Sequence, residues 1–346
     1  MRISPLTPEF RLLLACSGPA PARPIAQLCE ETLRWDEFLA LVRRHQVPAL
    51  ACQALRGEAI PGNVRKELKT LRAAACARAL HTAAELARLI RAFAAQGIAV
   101  MPLKGVMLSI QLYGDPATRY PGDLDVLVQP EDFDRAGELL ASLGYRSKLS
   151  RPMQRLLRAH SYECSYWHDR LQLQVEVHWT LEMWTPPQIS ELWTHGRTTF
   201  WMGTGIQHLD GDALLLFLCD HGTKHQWSRI KWLSDVAMLL SKPRDSPWSA
   251  LFEMAARFDL EQALAETAGR VESWYGMELS MEFHDFIQKE GVEGVARRKR
   301  SSWRMHLNRL MIQVEDLKQF PLPDPFVWLY YPLRPLFWFW RHFKVK

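Results

Sequence analysis

Between residues 98 and 182 the apolar positions change their period several times, and each change predicts an element. Ile98–Leu103 is a short apolar run that ends at Lys104-Gly105, which reads as a strand entering a turn. Leu124, Val126 and Val128 alternate with Asp123 and Asp125, so the spacing predicts a strand with both carboxylates on one face. Over 131–143, Phe133, Ala136, Leu139, Leu140 and Leu143 recur at helical spacing before Gly144. Tyr145–Leu149, Tyr162–Trp167 and Leu171–Trp179 read as further strands. The last alternates strictly, with Leu173, Val175, Val177 and Trp179 on one face and Gln172, Gln174, Glu176 and His178 on the other. Either side of this block the period is helical. Residues 8–58 form helices broken by the Pro/Gly/Ala stretch 18–24, and 62–96 form a helix closed by Gly97. From Pro187 onward the pattern turns helical again, best marked over 212–241 and continuing over 247–312. The expected architecture is therefore an α/β (α+β) core with a small mixed sheet between helical regions. Its boundaries fall at 1–96, 97–182, 183–320 and a tail at 321–346.

Two carboxylates two residues apart on one strand face cannot pack in a core without a cation, and Mg2+, which takes oxygen ligands, is the obvious neutraliser. The D-x-D pattern alone is weak, because it occurs at Asp123/Asp125, Asp132/Asp134 and Asp210/Asp212. The second and third pairs precede helical runs, where capping and the helix dipole explain them. Only the first is fused to an apolar β-run. If the 172–179 strand lies beside it, Glu176 becomes a third acid at the same cation, the layout that two-metal phosphoryl transfer needs.

An ordered set of motifs carries a resemblance: L-K-G at 103–105, L-Y-G-D-P at 112–116, Arg119, G-D-L-D-V-L-V at 122–128, L-G-Y at 143–145, V-E-V-H-W at 175–179, and H-G-T-K-H-Q-W-S-R-I-K-W-L-S-D-V at 221–236. Together they resemble the uncharacterised nucleotidyltransferase family, a branch of the DNA polymerase β-like nucleotidyltransferase superfamily, over most of residues 30–240. The wider superfamily places Gly-Ser ahead of its metal pair; here the residues are Lys104-Gly105-Val106, as in the similar abortive-infection toxin branch.

The resemblance implies a Mg2+-dependent, ATP- or other NTP-binding transferase that moves an NMP to a hydroxyl or phosphate acceptor and releases pyrophosphate. Asp123, Asp125 and Glu176 would be catalytic and hold two Mg2+ ions. Lys104, Gly105, Arg119 and Gly122 would bind the nucleotide. Arg119 has two readings, a phosphate contact and an ion pair to Asp115. His178, His221, Lys224 and Lys231 would line the substrate cleft. For His178 a plain hydrogen-bonded role is equally open, and for the 221–235 stretch a solvated helix face. His221 and His225 are four apart, yet H-G-T-K-H lacks the glutamate of a zinc-protease helix.

Composition narrows the class. With 346 residues, 48% apolar and 23% charged, the chain is an ordinary globular protein with room for two domains. Six scattered cysteines without C-x-x-C fit reduced thiols and a cytoplasmic protein. No signal-peptide pattern or long apolar run is seen. A net charge of +5 suits an anionic substrate without by itself implying nucleic acid. The basic run Arg297–Arg300 is the feature favouring an RNA acceptor, as in toxin-like enzymes that modify tRNA ends. The tail 326–346 interleaves aromatics with Arg334, Arg341, Lys344 and Lys346, which fits either peripheral membrane contact or packing on the body, with Pro332 and Pro335 expected to break any helix. A third reading is a catalytically quiet nucleotide-binding protein tethered there. Oligomeric state, and whether the acceptor is a small molecule, peptide or RNA, stay open.

Overall fold

In the computed structural model, residues 6–21, 23–158, 161–181, 184–290, 317, 320 and 322–343 are described. The basic run at 297–300, Lys344 and Lys346 lie outside them. The chain divides into two compact units, one of residues 1–89, 102–122 and 192–291, the other of residues 90–101, 123–191 and 292–346.

The first unit is largely helical. Its N-terminal part holds α1 (Pro8–Ser17), α2 (Ile25–Cys29), α3 (Trp35–His45), α4 (Pro48–Ala54) and most of α5 (Gly62–Ala95). Helix α1 starts on Thr7, whose side-chain oxygen accepts from the Phe10 N–H at 3.3 Å. Helix α6 (Val106–Tyr113) begins at Gly105, whose φ of 71° and ψ of −131° favour glycine strongly. Further on, helices Gly211–Lys224, Ile230–Leu240, Trp248–Arg257 and Glu261–Tyr275 pack on one another.

Two departures from the sequence pattern lie in this unit. Residues 196–209, read as helical, form a hairpin of two antiparallel strands, Gly196–Trp201 and Thr204–Leu209. Met202 and Gly203 both carry positive φ, 48° and 78°, the requirement of a tight two-residue turn. Met-Gly is a poor advertisement for that turn, which hid the hairpin. The expected helix over 212–241 is also interrupted. Gln226 and Trp227 take left-handed backbone, and the buried Trp227 ring sits so close to Gly222 that a Cβ there would lie 2.1 Å from it.

The second unit holds the main sheet but for Pro102: β1 (Val100–Pro102), β2 (Leu124–Val128), β3 (Glu163–His168) and β4 (Leu173–His178), in the order β1-β2-β4-β3. β2 and β4 run parallel, β3 and β4 antiparallel, so the sheet is mixed as expected. Helix α7 (Phe133–Ser142) follows a short 3-10 turn and buries Phe133, Ala136 and Leu140, with Phe133 4.5 Å from the Trp179 ring. Gly137 on α7 admits the Tyr166 hydroxyl, which donates to Gln154 Oε1 at 3.0 Å. Tyr145–Leu149 contributes one bridge, Arg146 to Trp167, in place of the expected strand, and helix α8 (Arg151–Arg158) follows. The tail corrects another expectation: Tyr330–Phe343 is one helix with Pro335 inside it. Pro332 sits in the first turn, where its missing N–H has no helical partner to lose. Among the described residues, no helix is long and apolar enough to cross a membrane.

Candidate metal centre

The alternation at 122–128 and 172–179 decides which side chains meet. In the parallel ladder Asp125 pairs with Glu176 and Leu127 with His178, so Asp125, Glu176 and His178 rise from one face of adjacent strands. The apolar residues between them, Leu124, Val126, Val175 and Val177, are buried on the other face. On the far side of β4, Glu163 of β3 is the partner of His178 and Ser165 of Glu176.

The three ligand-bearing side chains converge. One oxygen each of Asp125 and Glu176 and one ring nitrogen of His178 all lie within 4.8 Å of one another. Asp125 is 8% exposed and His178 6%. His178 Nε2 stands 3.6 Å from Asp125 Oδ1 and 3.4 Å from Glu163 Oε2, and the ring stacks against Tyr162. Neither ring nitrogen of His178 has a hydrogen-bond partner, although both are buried. Gln174 Nε2 donates to Glu176 Oε1 at 2.7 Å and fixes that carboxylate. Closely spaced carboxylates and a buried imidazole that makes no hydrogen bond suit a divalent cation, because a cation satisfies both kinds of donor at once.

Asp123, expected as the first ligand, stands just ahead of β2 and is exposed, outside this converging group. His178 is the third member of the converging group. Sequence reasoning placed His178 on the right face; its meeting with Asp125 depends on the register between β2 and β4, which residue pattern does not specify.

The remaining expected site residues belong to the first unit. Lys104 is half-buried and Gly105 opens α6. Arg119 is 5% exposed, and its Nε donates to Asp235 Oδ2 at 2.7 Å, while its backbone N–H donates to Ser109 Oγ at 2.9 Å. Its ion-pair partner is thus Asp235 and not Asp115, the partner in one of its two readings, whose carboxylate accepts instead from the Ala117 N–H and the Thr118 hydroxyl. Asp235 is fully buried, and burial pushes its carboxyl above the usual range against the pull of Arg119 and Lys231. Tyr113 donates to Asp235 Oδ1 at 3.3 Å, and burial with that neighbouring carboxylate raises the phenol well above its ordinary value. Lys231 is buried, with Nζ 3.5 Å from the Tyr120 carbonyl. This polar cluster was missed as a unit; its partners are 116 residues apart in the chain. Lys224 is exposed, and His221 packs against His225 and Trp232 with ring centres 4.6 Å and 5.2 Å away. Gly122 is half-buried in the connection to Asp123.

Comparison with known proteins bears on the chemistry. The family model described as uncharacterised nucleotidyltransferase matches residues 31–276. None of the curated proteins matches the chain. Among solved structures, an antigenic nucleotidyltransferase-like protein from Paracoccidioides brasiliensis matches with 14% identity, over 56% of this chain and 90% of that one, at a TM-score of 0.33.

Proposed function

We propose that this chain, which belongs to the uncharacterised nucleotidyltransferase family, moves an NMP from an NTP to a hydroxyl or phosphate acceptor at the carboxylate face of its mixed sheet, with release of pyrophosphate. The observation that carries the reading is the pairing of Asp125 with Glu176 in register on adjacent parallel strands, with His178 beside them.

Asp125, Glu176 and His178 would hold a divalent cation, with Mg2+ the ion expected; when bound, it supplies charge neutralisation at the phosphate oxygens and acidifies the attacking hydroxyl. Asp123, just ahead of β2, would supply a further carboxylate toward a second ion. Glu176, held by Gln174, accepts the acceptor proton. Lys104, the Gly105 backbone and Gly122 are the candidates for nucleotide contact, on the strength of the motif and of the glycine turn at the start of α6. Arg119 acts through Asp235, anchoring the loop that leads four residues later into Asp123, and Lys231 serves the same buried cluster. His221 and Lys224 are candidates for substrate contact. Catalysis in this scheme is positioning and electrostatics, as phosphoryl transfer generally demands. Peripheral membrane contact through residues 326–346 is compatible with all of it.

The test is incubation with each α-labelled NTP, Mg2+ and a cell extract, comparing wild type with Asp125→Asn. Label transfer to an acceptor by wild type alone supports the reading. Equal labelling by both proteins, or none with any NTP, contradicts it.

A further inference from the structure

The C-terminal helix Tyr330–Phe343 has two unlike faces. Its inner face is spent on the segment that precedes it. Tyr330 is buried and its hydroxyl accepts from the Leu322 N–H and donates to the Phe320 carbonyl. Phe337 stacks on Phe320 at 5.3 Å and Trp340 meets the same ring edge-on at 5.0 Å. The outer face is a different case. Tyr331, Pro332, Pro335, Leu336 and Phe339 are all exposed, and at 3.6 residues per turn they share an arc of roughly 140° on which no described side chain is charged. The preceding turn adds Trp328, 61% exposed, and Leu336 itself is 64% exposed.

A contiguous apolar face of this kind is rare on a protein that meets only water. The charge balance identifies what covers it. Residues 325–346 contain Arg334, Arg341, Lys344 and Lys346 and no Asp or Glu. A second copy of the chain would bring the same cations against one another, whereas a bilayer bearing anionic lipid offers both the apolar layer and the opposite charge. Exposed Trp and Tyr are the side chains that settle at a membrane interface. The helix has 14 residues, about 21 Å, too short to span the hydrocarbon and suited to lying in its plane.

We propose that the outer face of the C-terminal helix, with Trp328, is a peripheral membrane anchor that recognises the surface of anionic lipid bilayers. The anchor stands independently of the carboxylate site and of the reaction assigned to it.

The experiment is cosedimentation of the full-length protein with phosphatidylcholine vesicles and with mixed phosphatidylcholine–phosphatidylserine vesicles, at low and high salt. The wild type partitions onto the mixed vesicles at least about tenfold better than onto the neutral ones, and salt reduces the difference. Leu336→Glu/Phe339→Glu loses at least about tenfold of that partition. Trp328→Glu, outside the helix, loses part of it and guards against an effect on helix formation alone. Because all three sites are exposed, the unfolding temperatures stay at the wild-type value. Absence of binding to either vesicle, or equal binding by the variants, overturns the proposal. So does a dimer, seen by light scattering, that the double variant converts to monomer.

Discussion

Asp125 and Glu176 are direct partners across the parallel β2–β4 ladder, and their carboxylates share one sheet face with the His178 ring. One oxygen of each lies within 4.8 Å of the other, and two like charges at such a distance repel by roughly 3–4 kcal/mol in surroundings of intermediate polarity. The arrangement is therefore poised to take a cation.

Glu176 has a role separable from nucleotide binding. Glu176→Gln keeps the hydrogen-bonding shape of the side chain but removes its charge and its basicity. Turnover should fall at least about a hundredfold while nucleotide binding changes little. Single-turnover kinetics beside equilibrium binding of a labelled NTP separate the two. Unaltered rates would assign the base elsewhere.

Arg119 and Asp235 make a buried ion pair, 4% and 1% exposed at their side chains. Removing one partner leaves the other charge stranded, so Arg119→Met should destabilise the fold by about 3–5 kcal/mol. Adding Asp235→Leu to that variant should recover most of the loss, since the stranded carboxylate is then gone as well. Urea unfolding of the two single variants and the double variant gives the coupling directly. Independent, additive losses would show that the pair does not act as a unit.

His45 sets a pH dependence of stability. It is buried, its Nδ1 accepts from the Ile230 N–H at 3.1 Å, and burial, aided by Arg44 and Arg229, pulls it down to about 4. The folded state thus holds the proton less tightly than the unfolded chain, whose value is near 6.5. Stability from this group is intact above about 6.5 and falls as pH drops toward 4, by roughly 3 kcal/mol in all. His45→Gln should flatten that part of the profile. A wild-type profile that is already flat between those values would contradict the assignment.

The sequence pattern carried parity well and register poorly. Strict alternation over 172–179 and the apolar residues after Asp123 were enough to put Glu176, His178, Asp123 and Asp125 on polar faces, because side-chain direction in a strand repeats every two residues. Which aspartate meets Glu176 depends on how β2 slides against β4, and nothing local sets that. The strand begins at Leu124, leaving Asp123 at its mouth and Asp125 beside Glu176. The hairpin at 196–209 escaped because Met202-Gly203 supplies its turn without the usual Asn or Asp. Asp235 escaped as the partner of Arg119 because the nearer Asp115 offered an obvious but different solution. The C-terminal helix escaped because two prolines read as breakers, although one sits in a first turn where a proline costs little.

The central claim, a divalent cation held by Asp125, Glu176 and His178, is tested most directly by titrating Mn2+ into the full-length protein and following the free-ion paramagnetic resonance signal. Wild type should remove Mn2+ from solution saturably and Mg2+ should compete for it, while Asp125→Asn and Glu176→Gln each weaken the binding at least about tenfold. Variants that take up the ion as tightly as wild type would contradict the claim.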